Sequence, residues 1–223
     1  MQDLSNWTSR PAPRLEPMEG HFVRLEPLSA DRHGQGLFEA SSVSDAIDRF
    51  RYLGELPPRT LDEFRPWLDK AESSRDPLYF AVIEKKSGKV AGRQTYLRTD
   101  VANGVTEIGH IYWGPLISQT PATTEALYLF ARHIFDDLGY RRFEWKCNND
   151  NEPSKRAALR YGFQFEGIFR KHMIIKGKNR DTAWYAMTDD DWTIAKPAFG
   201  AWLAPSNFDA QGRQVKTLME FRT

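Results

Sequence analysis

The clearest pattern of hydrophobic and polar positions lies in the middle of the chain. Along Thr120–Leu138, apolar side chains recur at steps of three and four, which predicts a helix with one apolar face. Pro121 suits the first turn of that helix, Thr120 can cap it, and Gly139 can end it. The next residues, Arg141–Cys147, alternate between apolar and charged side chains and therefore predict a strand.

A strand before this helix and a second helix after the next strand complete a βαβ unit. The predicted order is a strand at Thr106–Trp113, a loop at Gly114–Gln119, a helix at Thr120–Leu138, a strand at Arg141–Cys147 and a helix at Asn151–Tyr161. A crossover of this kind implies a parallel pair of strands. Where the loop opens onto the long helix, free backbone N–H groups can hold an anion.

The same periodicities extend to both sides of this unit. Before it, they predict a strand at His21–Pro27, helices at Ser29–Ala40, Arg49–Leu53 and Thr60–Ser73, and a hairpin of Tyr79–Glu84 with Lys89–Arg98. Ser29 is the predicted cap of its helix, and Thr60 with Glu63 a capping box. After it, they predict a hairpin of Phe163–Ile175 with Asp181–Met187, a helix at Asp189–Phe199 and a polar tail from Ala204.

No internal repeat or linker divides the sequence. It predicts one mixed α/β domain over residues 21–188, preceded by an N-terminal extension of residues 1–20. Residues 189–223 are predicted to form a C-terminal helix and tail belonging to the same domain.

Composition narrows the function classes. A net charge of +1 gives no support for a nucleic-acid partner. Cys147 is the one cysteine, so no intrachain disulfide can form, and no cysteine, histidine and carboxylate set has the spacing of metal ligands. The N-terminus lacks the apolar segment of a signal peptide, and no apolar run approaches the ~20 residues of a membrane span. We therefore expect a cytoplasmic protein with no metal and no membrane contact.

Four stretches together resemble the GNAT superfamily of acetyl-CoA-dependent N-acetyltransferases. They are His21–Leu28, the Glu-Ile-Gly-His of Glu107–His110, the Thr-Glu-Ala of Thr124–Ala126, and Asn151–Ser154 followed by Tyr161–Gly162–Phe163. Their order is most similar to the Rim-type branch, which acetylates ribosomal-protein N-termini and related amines. The resemblance spans roughly His21 to Met187. It implies a mixed, mostly antiparallel sheet whose central strand pair splays apart, flanked by helices.

The resemblance also implies a binding site for acetyl-CoA as co-substrate. Carried over onto this sequence, the cofactor-binding residues are Ile111, Trp113, Ser118, Gln119, Thr120, Ala122, Thr123, Thr124, Asn151 and Ser154. The superfamily's pyrophosphate loop is glycine-rich, whereas the matching Ser118–Thr123 has no glycine and includes Pro121, which has no N–H. The remaining N–H groups of Thr120, Ala122 and Thr123, together with the helix dipole, are expected to hold the pyrophosphate.

Glu107 is the candidate general base. Strand alternation places it on one face with Gly109, Ile111 and Trp113, where apolar neighbours would raise its pKa by desolvation. The alternative is an exposed strand glutamate in a surface ion pair. Alternation places His110 on the opposite face, and we rank it below Glu107.

Two further roles follow from the resemblance. The backbone N–H near Tyr112 would hold the oxyanion of the tetrahedral intermediate. Many GNAT enzymes use a tyrosine as general acid where this chain has Ala158, so Ser154 becomes the candidate donor to the departing thiolate. Asn151 also has a purely structural alternative, because asparagine is a common helix N-cap.

Two other candidates have simpler interpretations. Cys147 is expected to be a small core residue rather than a nucleophile, since no histidine lies near it in sequence. The basic run Lys176–Arg180 is expected to be a solvated hairpin tip rather than a phosphate site.

The sequence thus predicts acetyl transfer from acetyl-CoA to a primary amine by direct attack, without a covalent enzyme intermediate. The best candidate acceptor is a protein or peptide N-terminal α-amine, and a small-molecule amine such as an aminoglycoside or polyamine is the alternative. A catalytically idle module that binds acyl-CoA or a peptide is a third hypothesis. Whether the chain forms a homodimer is left open.

Overall fold

An eight-stranded sheet organises the chain in the computed structural model, which describes residues 3–222. The strands are β1 (Met18–Glu19), β2 (Val23–Pro27), β3 (Leu78–Glu84), β4 (Lys89–Asp100), β5 (Val105–Trp113), β6 (Arg142–Asn148), β7 (Gln164–Ile175) and β8 (Lys178–Thr188). Their order in the sheet is β1-β2-β3-β4-β5-β6-β8-β7. Only the central pair β5–β6 is parallel, and the other pairs are antiparallel. The predicted fold class, including the parallel pair, is confirmed.

Helices cover both faces of this sheet. They are α1 (Ala30–Ser41), α2 (Ala46–Arg49), α3 (Leu61–Ser73), α4 (Pro121–Arg132), α5 (Glu152–Tyr161) and α6 (Asp189–Leu203), with short 3-10 turns at Pro205–Asn207 and Leu218–Phe221. None of the helices in residues 3–222 is both long and apolar enough to cross a membrane.

Alternation along β3 produces two apolar cores. Phe80 and Val82 point into the main core, which includes Phe130 of α4. Tyr79, Ala81 and Ile83 point the other way, into a second core beneath α1 and α3. A strand buried on both faces has no solvent side, so β3 fixes the helix layers relative to the central strands.

The long central helix is interrupted near its end. The α-helix stops at Arg132, and the next turn, His133–Asp137, is a π-helix in which the Leu138 N–H donates to the His133 carbonyl at 3.1 Å. Thr120 caps the helix as predicted, and Gly139 takes a left-handed φ of 67° after it.

Several local expectations were wrong. Ser29 occupies the N-cap position but makes no side-chain cap, and the Glu72 carboxylate accepts from the Ala30 N–H at the start of the helix. The Thr60 box is half formed, since the Glu63 carboxylate turns to Arg59.

The expected tail is also folded. Asn207 and Leu218 are buried, and the Asn207 amide donates to the carbonyls of Trp202 and Lys216. The last residue of this segment, Thr223, lies outside the described residues.

The central strands separate at the point where the site forms. Parallel pairing of β5 with β6 runs from Val105 opposite Arg142 to Ile108 opposite Trp145 and then stops. On its other side, β5 carries a bulge against β4, where Gly109 pairs with Thr95 and Tyr112 with Arg93. This is the splayed central pair that the resemblance implied.

Candidate active site

Two cavities meet where β5 and β6 diverge. One, which we call the β8 cavity, has a volume of about 570 Å³ and is lined by residues that include Glu107, His110 and Arg180. The other, the α4 cavity, has a volume of about 820 Å³ and lies against the first turns of α4 and α5. Both cavities are of a size that binds small molecules. They share the lining residues Arg49, Ile111, Trp145 and Pro153.

Glu107 is buried among charged groups rather than beside the apolar side chains that alternation predicted. Its Oε2 lies 3.0 Å from Lys146 Nζ and 3.0 Å from Arg98 Nε. Lys146 also lies 2.8 Å from Glu144 Oε2, and its ammonium sits over the Trp184 ring. Burial raises the pKa of the Glu107 carboxyl, and the charges of Lys146 and Arg98 offset part of that rise. The group is therefore a buried carboxylate, not an exposed surface pair.

His110 lines the same cavity as Glu107, which simple alternation does not predict. In the bulge, His110 and Ile111 together face one residue of β4, and His110 takes a left-handed φ of 46°. The bulge thus changes the phase of the strand between Glu107 and His110. Burial lowers the pKa of the His110 imidazole, and the Arg93 charge lowers it further, so the ring is neutral at pH 7.

The α4 loop already uses two of the N–H groups that were expected to face a pyrophosphate. The Thr120 N–H donates to the Ile117 carbonyl at 3.2 Å, and the Ala122 N–H donates to the Thr120 hydroxyl at 3.3 Å. The Thr123 hydroxyl donates to the Thr120 carbonyl, which tightens the turn further. The expectation that Thr120 and Ala122 offer free amides was wrong, because the Ile117 carbonyl accepts from the first and the Thr120 hydroxyl from the second.

Three arginines line the α4 cavity beside this loop, and sequence reasoning missed all of them. Arg160 Nη1 lies 3.0 Å from the Thr124 hydroxyl, and Arg49 Nη1 lies 3.1 Å from the Ser118 hydroxyl. Both line the α4 cavity, as does Arg213 from the folded tail. No local motif marks them, because they come from α5, α2 and the C-terminal segment. Of the predicted loop residues, Ser118, Gln119, Thr120, Thr123 and Thr124 line this cavity and Ala122 does not; their binding of acetyl-CoA stays a prediction.

Ser154 and Asn151 lie at the start of α5 but face different cavities. The Asn151 side chain accepts from the Ser154 N–H at 3.2 Å, so the structural N-cap is present. Ser154 lines the α4 cavity and accepts from the Trp145 indole N–H at 3.0 Å, whereas Asn151 lines the β8 cavity. Ala158 is fully buried one turn further on.

The Tyr112 side chain makes structural contacts. Its hydroxyl donates to the Ala40 carbonyl at 2.5 Å, and its ring packs on Phe50. Burial raises the pKa of the phenol, so it stays protonated at neutral pH. The role that the resemblance implies for the Tyr112 backbone N–H stays a prediction. With Ile111 and Trp113, Tyr112 forms the wall of the α4 cavity next to the point of divergence.

Two remaining candidates are placed as follows. Cys147 is buried and free, and burial raises the pKa of its thiol, which disfavours the nucleophilic thiolate. The hairpin of β7 and β8 is not simply solvated. Lys176 Nζ donates to the Phe50 carbonyl at 2.8 Å, and Arg180 lines the β8 cavity.

Comparison with known proteins identifies the family. Residues 23–164 match the model of the acetyltransferase (GNAT) domain, which is more than half of the chain. The chain belongs to the GNAT acetyltransferase family. A crystal structure of a GCN5-related N-acetyltransferase from Brucella melitensis is similar over 98% of this chain and 99% of that chain, with 63% identity and a TM-score of 0.97.

Curated GNAT relatives match part of the chain. An uncharacterized N-acetyltransferase p20 of Bacillus licheniformis is 28% identical over 112 residues, which are 48% of this chain and 60% of that protein. A ribosomal-protein-serine acetyltransferase of Escherichia coli is 30% identical over 106 residues, which are 47% of this chain and 58% of that protein. The chain therefore matches less than two thirds of the length of these relatives, and the Rim-type branch stays a hypothesis.

Membership in the GNAT family names a ligand against which the α4 cavity can be compared. GNAT acetyltransferases use acetyl-CoA, whose acetyl group must meet an acceptor. The α4 cavity fits such a ligand in volume and charge, since three arginines and a helix N-terminus suit phosphate groups. The residues that could hold it are those of the α4 loop with Arg49, Arg160 and Arg213.

Proposed function

We propose that this protein transfers the acetyl group of acetyl-CoA to a primary amine, with the N-terminal α-amine of a peptide as the best candidate acceptor. The observation that carries the proposal is the meeting of the two cavities at Ile111 and Trp145. Acetyl-CoA occupies the α4 cavity, and the amine enters from the β8 cavity. The reacting atoms then meet between the diverging strands, which is the near-attack arrangement that direct transfer needs.

Glu107 removes the proton from the incoming amine. Its buried position raises its pKa towards the range in which a carboxylate accepts protons efficiently. The amine nitrogen attacks the thioester carbonyl carbon and forms the C–N bond. The C–S bond then breaks and the acetyl group stays on nitrogen, so no acyl-enzyme forms.

Groups on β5 and α5 stabilise the negative charges that develop on the carbonyl oxygen and on the departing sulfur. A backbone N–H near Tyr112 stabilises the oxyanion of the tetrahedral intermediate. The Ser154 hydroxyl hydrogen-bonds to the departing thiolate. The Trp145 indole donates to the Ser154 oxygen and the Ser154 hydroxyl contacts the Cys147 thiol, so donation to the departing thiolate requires this hydroxyl to turn away from Cys147.

Neutral acceptors are favoured over polycationic ones. The β8 cavity is lined by four cationic side chains, Arg49, Arg98, Lys146 and Arg180, against the carboxylates Asp48 and Glu107. Such surroundings repel a polyamine or an aminoglycoside and favour the deprotonated form of a single amine. A peptide α-amine, with a pKa of about 7.7–8.0, gives up its proton more easily than a lysine side chain near 10.4.

The test is the release of CoA thiol with paired peptides. One peptide has a free N-terminus and no lysine, and its partner has a blocked N-terminus and one internal lysine. We expect faster release with the free N-terminus. Equal or reversed rates would remove the N-terminal assignment, and a strong preference for a non-peptide amine would favour the small-molecule alternative. No acetyl-CoA-dependent release with any amine would leave the idle binding module as the better account.

A further inference from the structure

Among residues 3–222, the Arg180 side chain has no hydrogen-bond or ion-pair partner, whereas the other three cations of the β8 cavity are paired. Arg98 and Lys146 each contact Glu107, and Arg49 lies 2.9 Å from Asp45. Arg180 makes no side-chain hydrogen bond or ion pair with any residue of 3–222, and its buried Nε has no acceptor. Partial burial lowers the pKa of the Arg180 guanidinium, and the nearby charge of Glu107 offsets part of that cost without a hydrogen bond.

The sheet holds Arg180 near the proposed base. On β8, Arg180 alternates with Thr182 and Trp184, and Trp184 lies opposite Lys146 of β6. Lys146 in turn contacts Glu107 of β5. One face of three neighbouring strands therefore carries the base, its lysine and the free arginine. Met173 and Ile175 of β7 also line the cavity and provide an apolar wall.

From this arrangement we infer that the acceptor carries a carboxylate close to its amine, and that Arg180 binds this carboxylate. The inference rests on the proposed function and specifies its substrate class. An arginine fork matches a carboxylate with two parallel hydrogen bonds, which a neutral amide cannot reproduce. Burial inside the cavity makes this recognition stronger than it would be on an exposed surface.

Two sources can supply such a carboxylate. It can be the acidic side chain of an N-terminal aspartate or glutamate, or the α-carboxylate of a free amino acid. Three acceptors separate them: glutamyl-alanine amide, glutaminyl-alanine amide, and free glutamine. All three have a free α-amine, and they differ in whether a carboxylate is present and where it lies.

The experiment measures kcat/KM for each acceptor at saturating acetyl-CoA with the wild-type chain, Arg180→Gln and Arg180→Lys. Arg170→Gln is the matched control, since Arg170 is an exposed arginine on β7 that lines neither cavity. With the wild type and the control, we expect at least one carboxylate-bearing acceptor to exceed glutaminyl-alanine amide by about tenfold or more. Arg180→Gln should abolish this preference through a higher KM, and Arg180→Lys should retain part of it.

The outcomes separate this inference from the proposed function. If all three acceptors are acetylated at similar rates by the wild type, Arg180 does not read a carboxylate, and acetyl transfer stands. A preference that survives in Arg180→Gln assigns the recognition elsewhere and overturns the inference. If no amine is acetylated by any variant, it is the proposed function that fails. Where Arg180→Gln does not fold, Arg180→Lys is the variant compared, and a carboxylate preference that it leaves undiminished overturns the inference.

Discussion

At the scale of single residues, Glu107 is the group on which the proposed chemistry depends. Its carboxylate is 4% exposed, and its Oε2 lies within ion-pair distance of two cations. Desolvation nevertheless dominates and raises its pKa above the ordinary value of 4.5. A base must be deprotonated to act, so activity falls as the pH drops through this raised pKa.

Glu107→Gln is therefore expected to lower kcat on the order of 10²-fold and to remove the low-pH limb that belongs to Glu107. The measurement is kcat as a function of pH for both proteins. Glu144→Gln is the control, because Glu144 also contacts Lys146 but lines neither cavity. A Glu107→Gln enzyme with wild-type kcat at every pH would exclude Glu107 as the base and make the neutral His110 the next candidate.

Arg160 is expected to bind the phosphate groups of acetyl-CoA, which a glycine-rich loop binds in other members of the superfamily. Arg160→Gln should raise the KM for acetyl-CoA about tenfold and leave kcat nearly unchanged, since a phosphate contact far from the thioester contributes binding alone. Steady-state kinetics with varied acetyl-CoA measure both constants. Arg156→Gln, an exposed position one turn earlier on α5, should behave as the wild type. Equal KM values for the two variants would show that Arg160 does not hold the co-substrate.

At the scale of elements, the start of α4 is tied to the sheet by one buried carboxylate. Glu125 accepts three backbone hydrogen bonds, from the N–H groups of His21, Phe22 and Val23 at 2.7, 2.6 and 2.9 Å. The glutamate of the motif Thr124–Glu125–Ala126 thus has a structural role. It fixes the N-terminus of the helix that borders the α4 cavity to the turn before β2.

Removing this carboxylate leaves three backbone donors without an acceptor. Glu125→Ala is expected to lower the free energy of unfolding by about 3 kcal/mol or more, because hydrogen bonds to charged groups are the stronger ones. Urea denaturation measures the change. Glu39→Ala, at an exposed position on α1, should stay within ~0.5 kcal/mol of the wild type. A loss of similar size in both variants would contradict the account.

The elements themselves were largely predictable, and the site was only partly so. Periodicity located the strands and the long helix, because burial repeats at two or at 3.6 residues. It could not locate the bulge at His110, which depends on pairing with β4 and moves a side chain into the cavity. Periodicity also could not predict that Arg160 and Arg180 line the cavities, because tertiary packing places them there.

At the scale of the whole molecule, the divergence of β5 and β6 decides where chemistry can occur. Elsewhere neighbouring strands stay paired, the two apolar cores pack on the central strands, and the edge strand β7 is largely exposed. The folded C-terminal segment contributes to the site as well, because Trp202, Phe208 and Arg213 line the α4 cavity. One wall of the α4 cavity is therefore formed by residues that follow the domain predicted at residues 21–188.

The central claim is that acetyl-CoA and the amine approach from opposite cavities and meet between Ile111 and Trp145. A crystal structure with a bisubstrate analogue, in which CoA is linked through its acetyl carbon to the amine of a short peptide, tests this most directly. The account predicts the CoA phosphates beside Arg160, the linking carbon at the divergence of β5 and β6, and the peptide nitrogen within hydrogen-bond reach of Glu107. A peptide moiety bound outside the β8 cavity, or CoA phosphates away from the α4 loop, would contradict it.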